Sequence, residues 1–107
     1  MIINAGNSGS CILIENSNVC FKIKNCILKN SEWANSHAGI KLVNTKNGQL
    51  IDNDCSNNNG YGISLLKSDN NTISNNIANF NNGNSIYLED CDNNTISENT
   101  LNYNGRG

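Results

Sequence analysis

Gly62-Ile63-Ser64-Leu65-Leu66-Lys67-Ser68-Asp69-Asn70-Asn71-Thr72-Ile73-Ser74-Asn75-Asn76 decides the fold, because its plan returns 23 residues later in Ser85-Ile86-Tyr87-Leu88 and Asn93-Asn94-Thr95-Ile96-Ser97-Glu98-Asn99. An earlier copy, Gly39-Ile40-Lys41-Leu42, stands 23 residues before it. In each copy an apolar residue (Leu50, Ile73 or Ile96) stands eight residues after the leucine. A fixed period of this length, carrying short apolar alternations, means stacked coils with one supersecondary unit per repeat.

Working outward, the inward positions fall into columns. The first strand of each coil gives Ile12 and Ile14, Ile40 and Leu42, Ile63 and Leu65, Ile86 and Leu88; the second gives Ile23, Leu50, Ile73 and Ile96; the third gives Leu28, Cys55, Ala78 and Leu101. Three short alternating strands per turn make three faces, so the fold expected is an all-β, single-stranded parallel β-helix of about four coils of ~23 residues. A polar column, Asn53, Asn76 and Asn99, reads as an asparagine ladder with Cys26 in the equivalent first place. Repetition satisfies such buried amides, since each finds a partner ~4.8 Å away.

The 107 residues form one expected domain, with an irregular coil at 10–36 and regular ones at 37–60, 61–84 and 85–107. The first is longer because Leu28 to Ile40 takes twelve residues where Cys55 to Ile63 takes eight. An insertion around Ser31-Glu32-Trp33-Ala34-Asn35 therefore bulges from one corner, and insertions outside a stacked core are where solenoids carry function.

Composition agrees. The chain has 26 asparagines, no proline and 9 glycines. Asparagine competes with the backbone inside helices but suits turns and left-handed conformations. A formal charge of −2 offers no basic patch for nucleic acid. No apolar run approaches the ~18–20 residues of a membrane span, and Met1-Ile2-Ile3-Asn4 does not read as a signal peptide.

The repeated Asn-Asn-Thr-Ile-Ser at 70–74 and 93–97, followed by Asn76 or Asn99 and then Gly/Ser-Ile-x-Leu, resembles the right-handed parallel β-helix repeats of the NosD-like and pectin-lyase-like superfamily. The resemblance runs from about Ser10 to Gly105 and implies the fold strongly, function weakly. That superfamily holds polysaccharide lyases, glycoside hydrolases, epimerases, adhesins and repeat proteins, and its enzymes work on an outward face with clustered carboxylates. It also implies an extracellular or cell-surface setting.

The outward column here reads Lys41, Ser64, Tyr87, with no flanking carboxylate pair, so no catalytic residue is assigned. Asp69, Asp90 and Asp92 could gather around a calcium ion, but Lys46 over Asp69 and Lys67 over Asp90 read more simply as surface ion pairs. One histidine and one methionine give no basis for copper, so neither a metal nor another cofactor is expected. Cys11, Cys20, Cys26, Cys55 and Cys91 occupy different columns and read as free thiols, which favours a reducing compartment over an oxidising one.

The positive indication is aromatic. Trp33 and His37 lie in or beside the insertion, while Tyr61 and Tyr87 lie near later first strands; with Lys41 they are the candidate ligand-binding residues. Aromatic faces among amides and hydroxyls hold sugars, although Trp33 reads first as a cap over the open first coil or a plug for its corner. The function expected is a non-catalytic module that presents a polar surface to carbohydrate or protein. The alternative is a fragment of a lyase or glycosidase whose catalytic coils lie elsewhere. Ile3 stands in an inward place and Arg106-Gly107 follow the last coil directly, so neither end reads as capped. An uncapped fragment of a longer solenoid, or end-to-end self-association, is the expectation.

Overall fold

The computed structural model describes residues 1–34 and 37–105, so Asn35 of the insertion and the Arg106-Gly107 end lie outside the described residues. β5 (Ala38–Thr45), β7 (Tyr61–Leu66) and β9 (Ile86–Glu89) stack in parallel register on β2 (Ile12–Ser17). That register aligns Ile12, Ile40, Ile63 and Ile86 in one inward column and Ile14, Leu42, Leu65 and Leu88 in the next. The second face stacks β3 (Phe21–Lys24), β6 (Gly48–Ile51), β8 (Thr72–Ser74) and β10 (Thr95–Ser97), aligning Ile23, Leu50, Ile73 and Ile96. On the third face β1 (Ile2–Asn4) pairs with β4 (Ile27–Lys29), which sets Ile3 beside Leu28.

Above β4 the third face narrows to single bridges that join Ile27, Asp54, Ile77 and Thr100. The reason is local: left-handed residues at Asp52 and Asn57, and at Asn75 and Phe80, leave only four residues between them. The expected core is otherwise present. Leu28, Ile40, Leu42, Leu50, Cys55, Ile63, Leu65, Ile73 and Ala78 are fully buried, whereas Ile96 and Leu101 in the last coil are partly open. Among the described residues no helix is long and apolar enough to cross a membrane.

Each coil turns through left-handed residues that recur with the repeat: Asn44, Lys67, Asp90; Asn47, Asn70, Asn93; Asp52, Asn75, Glu98; Asn57, Phe80, Tyr103. Asparagine tolerates this conformation better than most side chains, which explains much of the composition. The expected ladder forms. Asn76 accepts from Asn53 N–H at 2.9 Å and donates to Leu50 C=O at 2.8 Å, and Asn99 does the same to Asn76 and Ile73 at 2.9 and 3.0 Å. Asn53 accepts from Cys26 N–H at 3.0 Å, so Cys26 occupies the first place of the ladder column.

Two further ladders complete the set, one at each of the other corners. Asn71 accepts from Gly48 N–H at 2.8 Å and Asn94 from Asn71 N–H at 2.9 Å. Asn58, Asn81 and Asn104 accept from Ser31, Asn58 and Asn81 N–H groups at 3.1, 2.9 and 3.1 Å. Each of these carboxamides thus fastens its coil to the one before it. Ser68 and Cys91 extend the scheme beside the first corner, accepting from Thr45 and Ser68 N–H groups at 3.1 and 3.5 Å.

Candidate functional site

The corner between the third and first faces carries the insertion. Its root is held by Glu32, whose N–H donates to Gly9 C=O at 2.8 Å and whose Oε1 accepts from Gly9 N–H at 3.1 Å. Trp33 follows and projects outward, 74% exposed. With most of its surface open to solvent, it does not cap the corner.

Gly60 passes close beneath, where a Cβ would collide with the His37 carbonyl. The absence of a side chain lets Tyr61 N–H reach that same carbonyl at 2.9 Å. Gly83 in turn seats the Tyr61 ring, which a Cβ there would strike. These residues enclose a cleft of about 260 Å³ lined by Trp33, Gly60, Tyr61, Asn82 and Gly83. Among the described residues, hollows of about 320, 390 and 330 Å³ also lie elsewhere on the surface, and none of these brings two aromatic rings together.

Tyr61 stacks on Tyr87 with ring centroids 4.8 Å apart and planes 18° from parallel. Tyr87 aligns with Ser64 one coil below. A ring one coil spacing beneath Tyr87 therefore fills the outward space over the small Ser64 side chain, which is fully buried with its hydroxyl unpartnered. The outward column is not the flat polar face of Lys41, Ser64 and Tyr87 that the register alone implies. Tyr87 donates from its hydroxyl to Glu89 Oε1 at 2.6 Å, and that hydrogen bond holds its phenol above the usual range.

Of the residues singled out by sequence, Trp33 and Tyr61 share the cleft, and Tyr87 joins them through the stack. His37 contributes its carbonyl, while its Nδ1 lies 3.3 Å from Ser10 Oγ and its ring is not part of the lining. Lys41 pairs with Ser64, two coils away from Tyr87. An amide row borders the cleft: Asn82 donates to Asn59 Oδ1 at 3.4 Å, and Asn59 donates to Asn7.

A second aromatic pair lies outside the residues singled out by sequence. Phe80 and Tyr103 stack with centroids 5.1 Å apart and planes 8° from parallel, yet are 57% and 78% exposed. Both have left-handed backbones, at φ 57° each, where earlier coils place Asn30 and Asn57. That conformation costs a non-glycine residue ~1–3 kcal/mol, and an aromatic stack returns only ~0.5–1.5 kcal/mol. Its signal in the sequence is the 23-residue separation of two aromatics in an otherwise asparagine column.

Among the described residues no three His, Cys, Asp or Glu side chains are grouped to hold a metal ion. Asp69 uses Oδ1 to accept from Asp92 N–H at 2.8 Å, extending the stapling scheme. The ion pairs Lys46–Asp69 and Lys67–Asp90 do not close among the described residues; Lys46, Lys67 and Asp90 are exposed, where water competes for their charges. The five cysteines are free. Burial raises the Cys11 thiol and raises that of fully enclosed Cys55 much further.

A family model described as a right-handed beta helix region matches residues 2–107. No curated protein and no solved structure matches the chain.

Proposed function

The chain belongs to the right-handed β-helix family, and from that premise we propose that it is a non-catalytic module that binds carbohydrate at the corner bearing its insertion. The observation that carries this reading is the cleft that Trp33 and Tyr61 line together with Asn82, Gly60 and Gly83. Sugars present apolar C–H faces and a rim of hydroxyls. Aromatic rings serve the first, and carboxamides, with a donor and an acceptor each, serve the second. The regular coils are the scaffold that holds this corner, and the insertion is what distinguishes it from the two other corners.

Trp33 is the only tryptophan, so its fluorescence reports on the cleft directly. A glycan array probed with the wild-type chain and with Trp33→Ala tests the proposal. Binding to a defined set of glycans that Trp33→Ala abolishes, with an unchanged circular dichroism spectrum, is the expected result. Absence of binding to every glycan, or equal binding by the variant, contradicts it.

A further inference from the structure

We infer that the glycan site extends along this corner as a track for an uncharged oligosaccharide, with the Phe80–Tyr103 stack as a second subsite beside the Trp33–Tyr61 cleft. The inference rests on the carbohydrate reading of that cleft and adds to it a ligand class and a length.

The two aromatic groups are neighbours along the chain. Phe80 precedes Asn82 and Gly83, which line the cleft, and Tyr87 follows them. Along the chain, between Phe80 and Tyr87, comes the exposed Asn82, its carboxamide tied to Asn59. The surface thus reads aromatic, amide, aromatic across one corner. Local stability does not explain the outer stack, because asparagine at Asn30 and Asn57 makes the same left-handed turn. Residues that break a local rule in successive repeats, and remain exposed while doing so, mark a functional surface.

Charge selects among sugars. No residue lining the cleft is charged. Among the described residues, the carboxylates tied to residues around it are Glu32, which precedes Trp33 and accepts from Gly9 N–H at 3.1 Å, and Glu89, which accepts from the Tyr87 hydroxyl at 2.6 Å. Lys41 lies two coils below Tyr87 on the outward column. Among the described residues, two carboxylates against one distant ammonium disfavour a polyuronate and leave a neutral chain unopposed.

Isothermal titration calorimetry with cellobiose, cellohexaose, xylohexaose, mannohexaose and hexagalacturonate tests this on the wild type, on Trp33→Ala, and on Phe80→Asn/Tyr103→Asn. The double variant restores the asparagines of the earlier coils, so it folds, and its Tm rises. The expected result is that at least one neutral hexasaccharide binds and that the double variant weakens it about tenfold while leaving cellobiose unchanged. Trp33→Ala loses both lengths. Undiminished hexasaccharide binding by the double variant overturns the second subsite and leaves the cleft reading intact. Tighter binding of hexagalacturonate than of the neutral chains overturns the charge selection. A lower Tm in the double variant overturns the strain on which the subsite was identified. No binding by the wild type to any of the five sugars overturns the track and the carbohydrate reading together.

Discussion

At the scale of single residues, the chain separates positions that serve the stack from positions that do not. Asn76 shows the first kind, with its Oδ1 accepting from the coil below and its Nδ2 donating to Leu50 C=O below and Asn99 Oδ1 above. Ser64 shows the second, fully buried under the tyrosine stack with an unpartnered hydroxyl. A buried polar group without a partner costs roughly 1–3 kcal/mol, so deleting it relieves that cost. Ser64→Ala is therefore expected to raise stability by about 1 kcal/mol in urea titrations, whereas Ser64→Leu, which needs the space taken by the Tyr61 ring, lowers it. A marked loss of stability in Ser64→Ala would show that the hydroxyl has a partner. Phe80 and Tyr103 belong to neither kind: they are exposed, strained and unneeded by the turn.

At the scale of the coil, most of the fold is legible in the sequence because each inward residue recurs after 23 others. Ile40, Ile63 and Ile86 align by spacing alone, and the register of their strands matches that alignment. Asn53, Asn76 and Asn99 are legible for the same reason. The ladders of Asn71–Asn94 and Asn58–Asn81–Asn104 carry the same spacing, but they sit in runs such as Asn57-Asn58-Asn59 and Asn70-Asn71. Spacing alone does not say which member of a run turns inward; the left-handed φ of Asn57 and Asn70 decides it, turning their neighbours into the stack. The ladders bind coil to coil, so breaking one rung affects two coils. Asn76→Ala leaves the Asn53 N–H and the Leu50 carbonyl without their side-chain partners, and a loss of roughly 2–4 kcal/mol is expected in equilibrium unfolding. Asn75→Ala, at the exposed neighbouring position, keeps the ladder and serves as the control, changing stability by no more than the ~1–2 kcal/mol left-handed preference.

At the scale of the whole molecule, a repetitive scaffold carries one irregular corner, and the irregularity is what sequence reading resolves least. Trp33 and Tyr61 are legible as aromatics near the insertion, but their meeting is not, because an insertion has no repeat to supply its register. Gly60, Asn82 and Gly83, which shape the cleft, have the spacing and composition of ordinary turn residues, and only their contacts distinguish them. The scaffold itself has a pH signature. Burial raises the Cys55 thiol, so the folded chain holds that proton more tightly than the unfolded chain. The stabilisation is intact below about pH 8.5, where an exposed thiol ionises, and is lost as pH rises toward the raised value. Thiol titration with a disulfide reagent at about pH 8, close to where an exposed thiol ionises, is expected to modify exposed Cys20 rapidly and Cys55 only on unfolding; fast labelling of Cys55 in the folded chain would contradict its enclosure. The most direct measurement for the corner itself is a ¹H–¹⁵N correlation spectrum of the wild-type chain titrated with cellohexaose, xylohexaose and mannohexaose. Saturable shifts centred on the Trp33 indole, the Gly60 and Gly83 amides and the Asn82 carboxamide, and extending to the Phe80 and Tyr103 amides, are the predicted result, whereas an unmoved spectrum, or shifts centred on the Thr72 and Thr95 face, would contradict it.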